Sequence, residues 1–164
     1  MITFDDALQI WLKRFPRTED WPPPGEIRET DDYWCIGFDR PMIGIRGMII
    51  DRADGHFNDM GSGLTVDEWL YAHERGFKHW MYVLEVTAVR DTERTLDMFR
   101  KMGYRWMKEP VENPPFSQSF SWMGYRDLPQ MFAADFFDWQ ITVQSCEDPA
   151  CKAIGTVVYR SQKT

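Results

Sequence analysis

Carboxylates are the side chains in this 164-residue chain most numerous among those that could do chemistry. Asp31-Asp32, Glu147-Asp148, and Asp135 with Asp138 are close enough in sequence for general acid/base work. That work needs one carboxyl desolvated beside an ionised neighbour. Adjacent acids in loops are ordinarily solvated, so these pairs by themselves mark no catalytic centre. The three histidines (His56, His73 and His79) show no pair at the one-turn spacing of a helical metal site. Asp51, Asp54 and Asp59 have the wrong spacing for a calcium loop, which also requires a bidentate Glu at its twelfth position. Asp54-Gly55 is instead the dipeptide that tight hairpin turns prefer. Gly61-Ser62-Gly63 could offer backbone donors to an anion ahead of a helix, but without a Lys or a longer glycine loop it reads as a turn. No nucleophile elbow, phosphate loop or dinucleotide fingerprint is present. The expectation is a chain with no catalytic residues, no metal site and no cofactor.

Cys35, Cys146 and Cys151 are an odd number with no repeated spacing. Cys146 and Cys151 are five apart around Pro149, which is neither a zinc-chelating nor a redox-pair spacing, so reduced thiols are expected. The N-terminal Met-Ile-Thr-Phe-Asp-Asp is acidic where a signal peptide would be basic. The longest apolar run, Trp80–Leu84, is far shorter than a membrane span. A cytoplasmic, membrane-free protein is expected.

The net charge of −7 is unevenly placed. Residues 1–76 hold 8 Lys/Arg against 15 Asp/Glu, and residues 77–164 hold 11 against 11. An acidic half of this kind repels phosphate backbones and attracts basic partners. Nucleic acid is therefore disfavoured as a ligand, and a basic protein is favoured.

The elements that would position these groups follow from periodicity and punctuation. Thr3 with Asp6 predicts a capped helix whose apolar stripe is Ala7, Leu8, Trp11, Leu12 and Phe15. Arg17–Glu29, with its Pro22-Pro23-Pro24-Gly25 run, reads as a stiff connector. Tyr33–Phe38 predicts a strand and residues 48–60 a hairpin. Thr65 with Glu68 predicts a second capped helix closed by Gly76. Beyond it, Trp80–Val89 should be a strand with Trp80, Tyr82, Leu84, Val86 and Ala88 on one side. Thr92–Met102 should be a helix stopped by Gly103. Lys108–Ser121, marked by prolines, reads as a long surface loop carrying Phe116 and Phe120. Asp127–Ala134 predicts a short helix, and Trp139–Ser145 and Ala153–Tyr159 predict paired strands across a turn at Asp148-Pro149. The fold class is α+β: an antiparallel sheet with flanking helices, in two consecutive small units over residues 1–76 and 77–164.

Eight Trp and eleven Phe are a heavy aromatic load. Most must be core, but Trp21, Trp106, Phe116 and Trp122 sit beside Pro, Gly or charged residues. Aromatic anchors ringed by polar groups are what protein interfaces use. Candidate partner-binding residues are therefore Glu26, Glu29, Asp31 and Asp32 from the acidic stretch, and Trp106, Phe116 and Trp122 from the aromatics.

Met1–Ala7 opening a helix, Trp34–Phe38, Met48–Gly63 and Thr65–Leu70 together resemble the small bacterial YrhB-type proteins, immunity protein family 35 of polymorphic toxin systems. The shared pattern is an apolar strand leading to Asp51, Asp54 and Gly55, a second strand ending at Gly61, and a helix carrying Trp69 and Leu70. The resemblance covers residues 1–76. It implies a cytosolic, non-enzymatic inhibitor that binds and blocks a toxin, and the acidic first half fits a basic one. A chaperone-like or structural binding module, and an enzyme using carboxylates in a cleft between the halves, are the alternative expectations.

Overall fold

The computed structural model describes residues 1–146 and 152–161. It is an α+β structure with two four-stranded antiparallel sheets. The chain divides into two compact units, Met1–Leu70 and Tyr71–Thr164.

In the first unit, Thr3 caps helix α1 (Phe4–Arg14) as its spacing predicts. The Asp6 N–H donates to Thr3 Oγ1 at 3.2 Å, and the Thr3 N–H donates to the Asp6 carboxylate at 2.8 Å. That closed box fixes the start of the helix, so Ala7, Trp11 and Phe15 fall on one stripe. They bury against Trp34, Ile36, Met48 and Ile50 of the sheet. The sheet is a meander of β1 (Pro24–Glu29), β2 (Tyr33–Phe38), β3 (Ile45–Asp51) and β4 (Phe57–Gly61), in that order. Tyr33, Cys35, Ile49 and Asp51, on the opposite face of β2 and β3, are also buried. Both faces being covered explains why these strands read as continuous apolar runs rather than as alternation.

The connector expected over Arg17–Glu29 is corrected at its end, where Pro24–Glu29 is a strand. A proline is compatible with an edge strand because its missing donor need not face a neighbour. Here the Pro23 carbonyl accepts the Asp39 N–H at 3.1 Å. A Cβ on Gly25 would lie 2.4 Å from Asp39 Cα, so only glycine lets β1 approach β2 this closely. The Pro-Pro-Pro-Gly run is thus a device for launching an edge strand.

Helix α2 (Val66–His73) follows, capped reciprocally by Thr65 and Glu68 at 2.7 and 3.2 Å. Gly76, at φ +86°, terminates the segment after it. The division between the two units falls inside α2.

In the second unit the sheet order is β6-β5-β7-β8, formed by β5 (Met81–Val89), β6 (Phe116–Ser121), β7 (Phe137–Ser145) and β8 (Val157–Arg160). Tyr82, Leu84, Val86, Phe137, Trp139, Ile141 and Val143 face inward and are buried. Helix α3 (Thr92–Lys101) contributes Met98 and Phe99 to the core, α4 (Lys108–Glu112) contributes Val111, and α5 (Leu128–Phe132) contributes Leu128 and Met131. Ring contacts of Phe99 with Phe137, and of Phe132 with Trp139, tie α3 and α5 to β7.

The long loop expected over Lys108–Ser121 is instead α4 followed by β6. Pro110 sits in the first turn of α4, where a missing N–H breaks no helical bond. Phe116 and Phe120 then alternate with serines along an edge strand. Trp80, expected in the same strand as Tyr82 and on one side with it, instead precedes β5 and is 48% exposed. Cys146 is disulfide-bonded, against the expectation of three reduced thiols, whereas Cys35 is free and buried. Cys151, the Glu147-Asp148 pair and the turn at Asp148-Pro149 lie outside the described residues. Among the described residues no helix is long and apolar enough to cross a membrane.

Candidate interaction surface

The four acidic residues singled out from the sequence lie along one rim of the first unit, its edge strand and the turn that follows. Glu26 and Glu29 lie on β1, and Asp31 and Asp32 form the turn into β2; all four are exposed. Thr30 builds the turn. Its Oγ1 accepts the N–H groups of Asp32 and Tyr33 at 3.3 and 3.0 Å, and its own N–H donates to the Tyr33 carbonyl at 3.1 Å. The hydroxyl therefore satisfies the turn amides, which leaves both Asp side chains directed to solvent rather than spent on capping.

Two arginines partly neutralise the rim. Arg28 pairs with Glu26 at 2.8 Å and with Asp67 at 3.1 Å, and these carboxylates hold its guanidinium above its ordinary pKa. Arg52 reaches Glu29 at 3.2 Å and the Thr30 carbonyl at 2.7 Å while lying over the Trp34 ring. Arg28 and Arg52 thus offset two of the four acids, Glu26 and Glu29, and the charges of Asp31 and Asp32 keep the rim negative.

The aromatic candidates lie in the second unit and do not form one patch. Trp106 is 65% exposed, with its ring edge-on to Tyr104. Phe116 opens β6 half-buried and packs on Phe99. Trp122, also half-buried, begins a 3-10 turn (Trp122–Asp127) and meets Trp80 at 6.2 Å between ring centroids. Sequence reasoning missed Trp80 and Met123, which is 60% exposed beside Trp122. It also missed Ile27, an apolar residue 44% exposed in the middle of the acidic rim. An isoleucine flanked by Glu26 and Arg28 was the available sign of that position.

The other chemically suggestive groups have structural occupations. Asp54 accepts the His56 N–H at 2.9 Å in the hairpin turn, and Asp59 is the ion-pair partner of Arg14. Trp69 Nε1 donates to the Gly61 carbonyl at 3.0 Å, so the glycine break receives a side chain from α2. Asp135 and Asp138 pair with Arg94 and Arg90. Burial pushes the Cys35 thiol up to about 11 and the Tyr82 hydroxyl up to about 12, which disfavours thiolate and phenolate alike. Tyr125, whose hydroxyl donates to the His79 carbonyl at 2.9 Å, is raised for the same reason. Among the described residues no three His, Cys, Asp or Glu side chains converge as a metal ion would require.

No protein-family model matches the chain, and neither curated proteins nor solved structures give a match.

Proposed function

We propose that this chain is a non-catalytic binding protein, an immunity-type inhibitor that masks a basic toxin in the bacterial cytoplasm. The observation that carries the reading is the gathering of Glu26, Glu29, Asp31 and Asp32 on one exposed rim. Charges arranged in this way steer encounter with a partner of opposite sign and raise its association rate. The resemblance of residues 1–76 to immunity family 35 agrees with such a role.

The test is a pull-down with tagged protein from the native host, followed by association kinetics with the captured neighbouring gene product. A stoichiometric complex, whose on-rate falls roughly 10-fold or more at low salt when Glu26, Glu29, Asp31 and Asp32 are reversed to Lys, supports the reading. Unchanged on-rates remove the acidic rim from it.

A second reading is a chaperone-like module that binds through exposed aromatics. It is favoured by the Trp80, Trp122 and Met123 group, two of whose members are about half or more exposed. Native-state binding of a hydrophobic dye, lost in Trp80→Ala, would support it. One saturable protein partner insensitive to Trp80→Ala would count against it.

A further inference from the structure

The acidic rim is also an open sheet edge. Among the described residues β1 is the terminal strand of its sheet and pairs with β2 alone. The phase of the ladder decides which main-chain groups of β1 are turned outward. The Arg52 N–H donates to the Asp32 carbonyl at 2.8 Å, and Trp34 pairs with Ile50 and Ile36 with Met48. Hydrogen-bonded pairs alternate along an antiparallel strand, so Asp32, Trp34 and Ile36 bond toward β3 and Tyr33 and Cys35 bond toward β1. The Thr30 N–H bond to the Tyr33 carbonyl gives the same phase. Arg28, opposite Cys35, therefore faces β2, while the N–H and C=O groups of Ile27 and Glu29 face the free side.

Natural sheets guard such edges with proline, bulges and lysine. Here the proline run and an irregularity between Pro24 and Ile27 guard only the start of β1. Ile27 to Thr30 continues in regular register, and Ile27 offers an exposed apolar side chain to a neighbouring strand. A second copy of this chain would bring acids against acids, which disfavours β1-to-β1 pairing. A strand with lysine or arginine at alternate positions would meet Glu29 and Ile27 on one face and Glu26 on the other.

We propose that the β1 edge receives a basic extended segment of the partner by strand addition, with Ile27 and Glu29 supplying the main-chain hydrogen bonds. This rests on the acidic-docking reading above and specifies how the partner is held.

The test uses isotope-labelled full-length protein and a synthetic hexapeptide alternating Lys and Val. Two controls are the same peptide N-methylated at alternate residues and a Glu/Val counterpart. The expected result is saturable binding by the Lys/Val peptide, with slowed hydrogen exchange of the Ile27 and Glu29 amides. N-methylation of the strand-pairing edge should weaken binding at least 10-fold, and the Glu/Val peptide should not bind. Ile27→Pro deletes an outward-facing donor and leaves the β1–β2 ladder intact, so it should weaken binding by a similar factor; a dispersed amide spectrum confirms its fold. Were that variant not to fold, the N-methylated peptide carries the same test. No saturable binding, or binding indifferent to N-methylation, overturns strand addition. If Asp31→Lys with Asp32→Lys weakens binding while N-methylation does not, docking at the acidic rim stands and strand addition falls. If neither matters, both fall.

Discussion

The guanidinium carbon of Arg52 lies 4.8 Å from the centroid of the Trp34 ring. From there Arg52 donates to the Thr30 carbonyl and to Glu29, so one side chain on the exit of β3 ties down the β1–β2 turn. Lysine cannot stack its charge flat on the indole and hold both oxygens as well. Arg52→Lys should lower the stability of the first unit by about 1–2 kcal/mol, from cation–π and charge-assisted hydrogen-bond losses. Urea denaturation followed by tryptophan fluorescence, together with exchange of the Tyr33 amide, measures this. An unchanged midpoint and unchanged exchange would show that the stack holds nothing.

Two glycines three residues apart should respond very differently to alanine. At Gly47 a Cβ would fall 2.1 Å from the Ile36 carbonyl oxygen, which is backbone inside the sheet and cannot move aside cheaply. Gly44, at φ +89°, has nothing within 4 Å of an added Cβ. Gly44→Ala should cost only the conformational strain, about 1–2 kcal/mol. Gly47→Ala should cost about 3 kcal/mol or more, as overpacking and backbone displacement add to strain. Equal melting points for the two variants would refute the distinction.

What was legible in the sequence was local. Thr3 with Asp6, and Thr65 with Glu68, announce their helices because a capping box is complete within four residues. Tyr33–Phe38 and the Asp54-Gly55 turn were equally plain. The two missed strands share a cause, which is proline read without its neighbours. Pro24 and Pro110 are tolerated because one lies at a sheet edge and the other in a first helical turn, positions that only the tertiary structure defines. The surface followed the same division. The acids could be named from charge alone, but only strand pairing brings them to a single rim and turns Ile27 outward among them. Trp80 reads as part of the strand only because period-2 alternation extends one residue before β5 begins.

Burial, not residue type, should decide the cost of losing a tryptophan. Trp11 is fully buried and contacts the rings of Phe15 and Phe38, whereas Trp106 is 65% exposed. Trp11→Ala should cost about 3–5 kcal/mol through lost transfer energy and the cavity left behind. Trp106→Ala should stay within about 0.5 kcal/mol, as surface changes do. Thermal denaturation of the two variants separates them, and a comparable loss in both would contradict the assignment of Trp106 to the surface.

Alkaline pH should reveal the burial of Cys35. The thiol is raised from an ordinary 9.0 to about 11 because the folded protein cannot solvate a thiolate there. Below pH 9 both folded and unfolded chains keep the proton, and the stabilisation is fully present. Between pH 9 and 11 the unfolded chain releases it first, binds fewer protons than the folded one, and is favoured increasingly as pH rises. A displacement of this size corresponds to a loss on the order of 2–3 kcal/mol across that window. Tyr82, raised from 10.0 to about 12, extends the decline at its upper end. Urea midpoints measured at pH 8, 9, 10 and 11 should change little from pH 8 to 9 and then fall through pH 11 in the wild-type protein. Cys35→Ala starts from a lower midpoint but should flatten the pH 9–10 portion, leaving the later decline to the buried tyrosines Tyr82 and Tyr125. A Cys35→Ala series parallel to wild type would mean that the thiol titrates in the folded protein as it does in water.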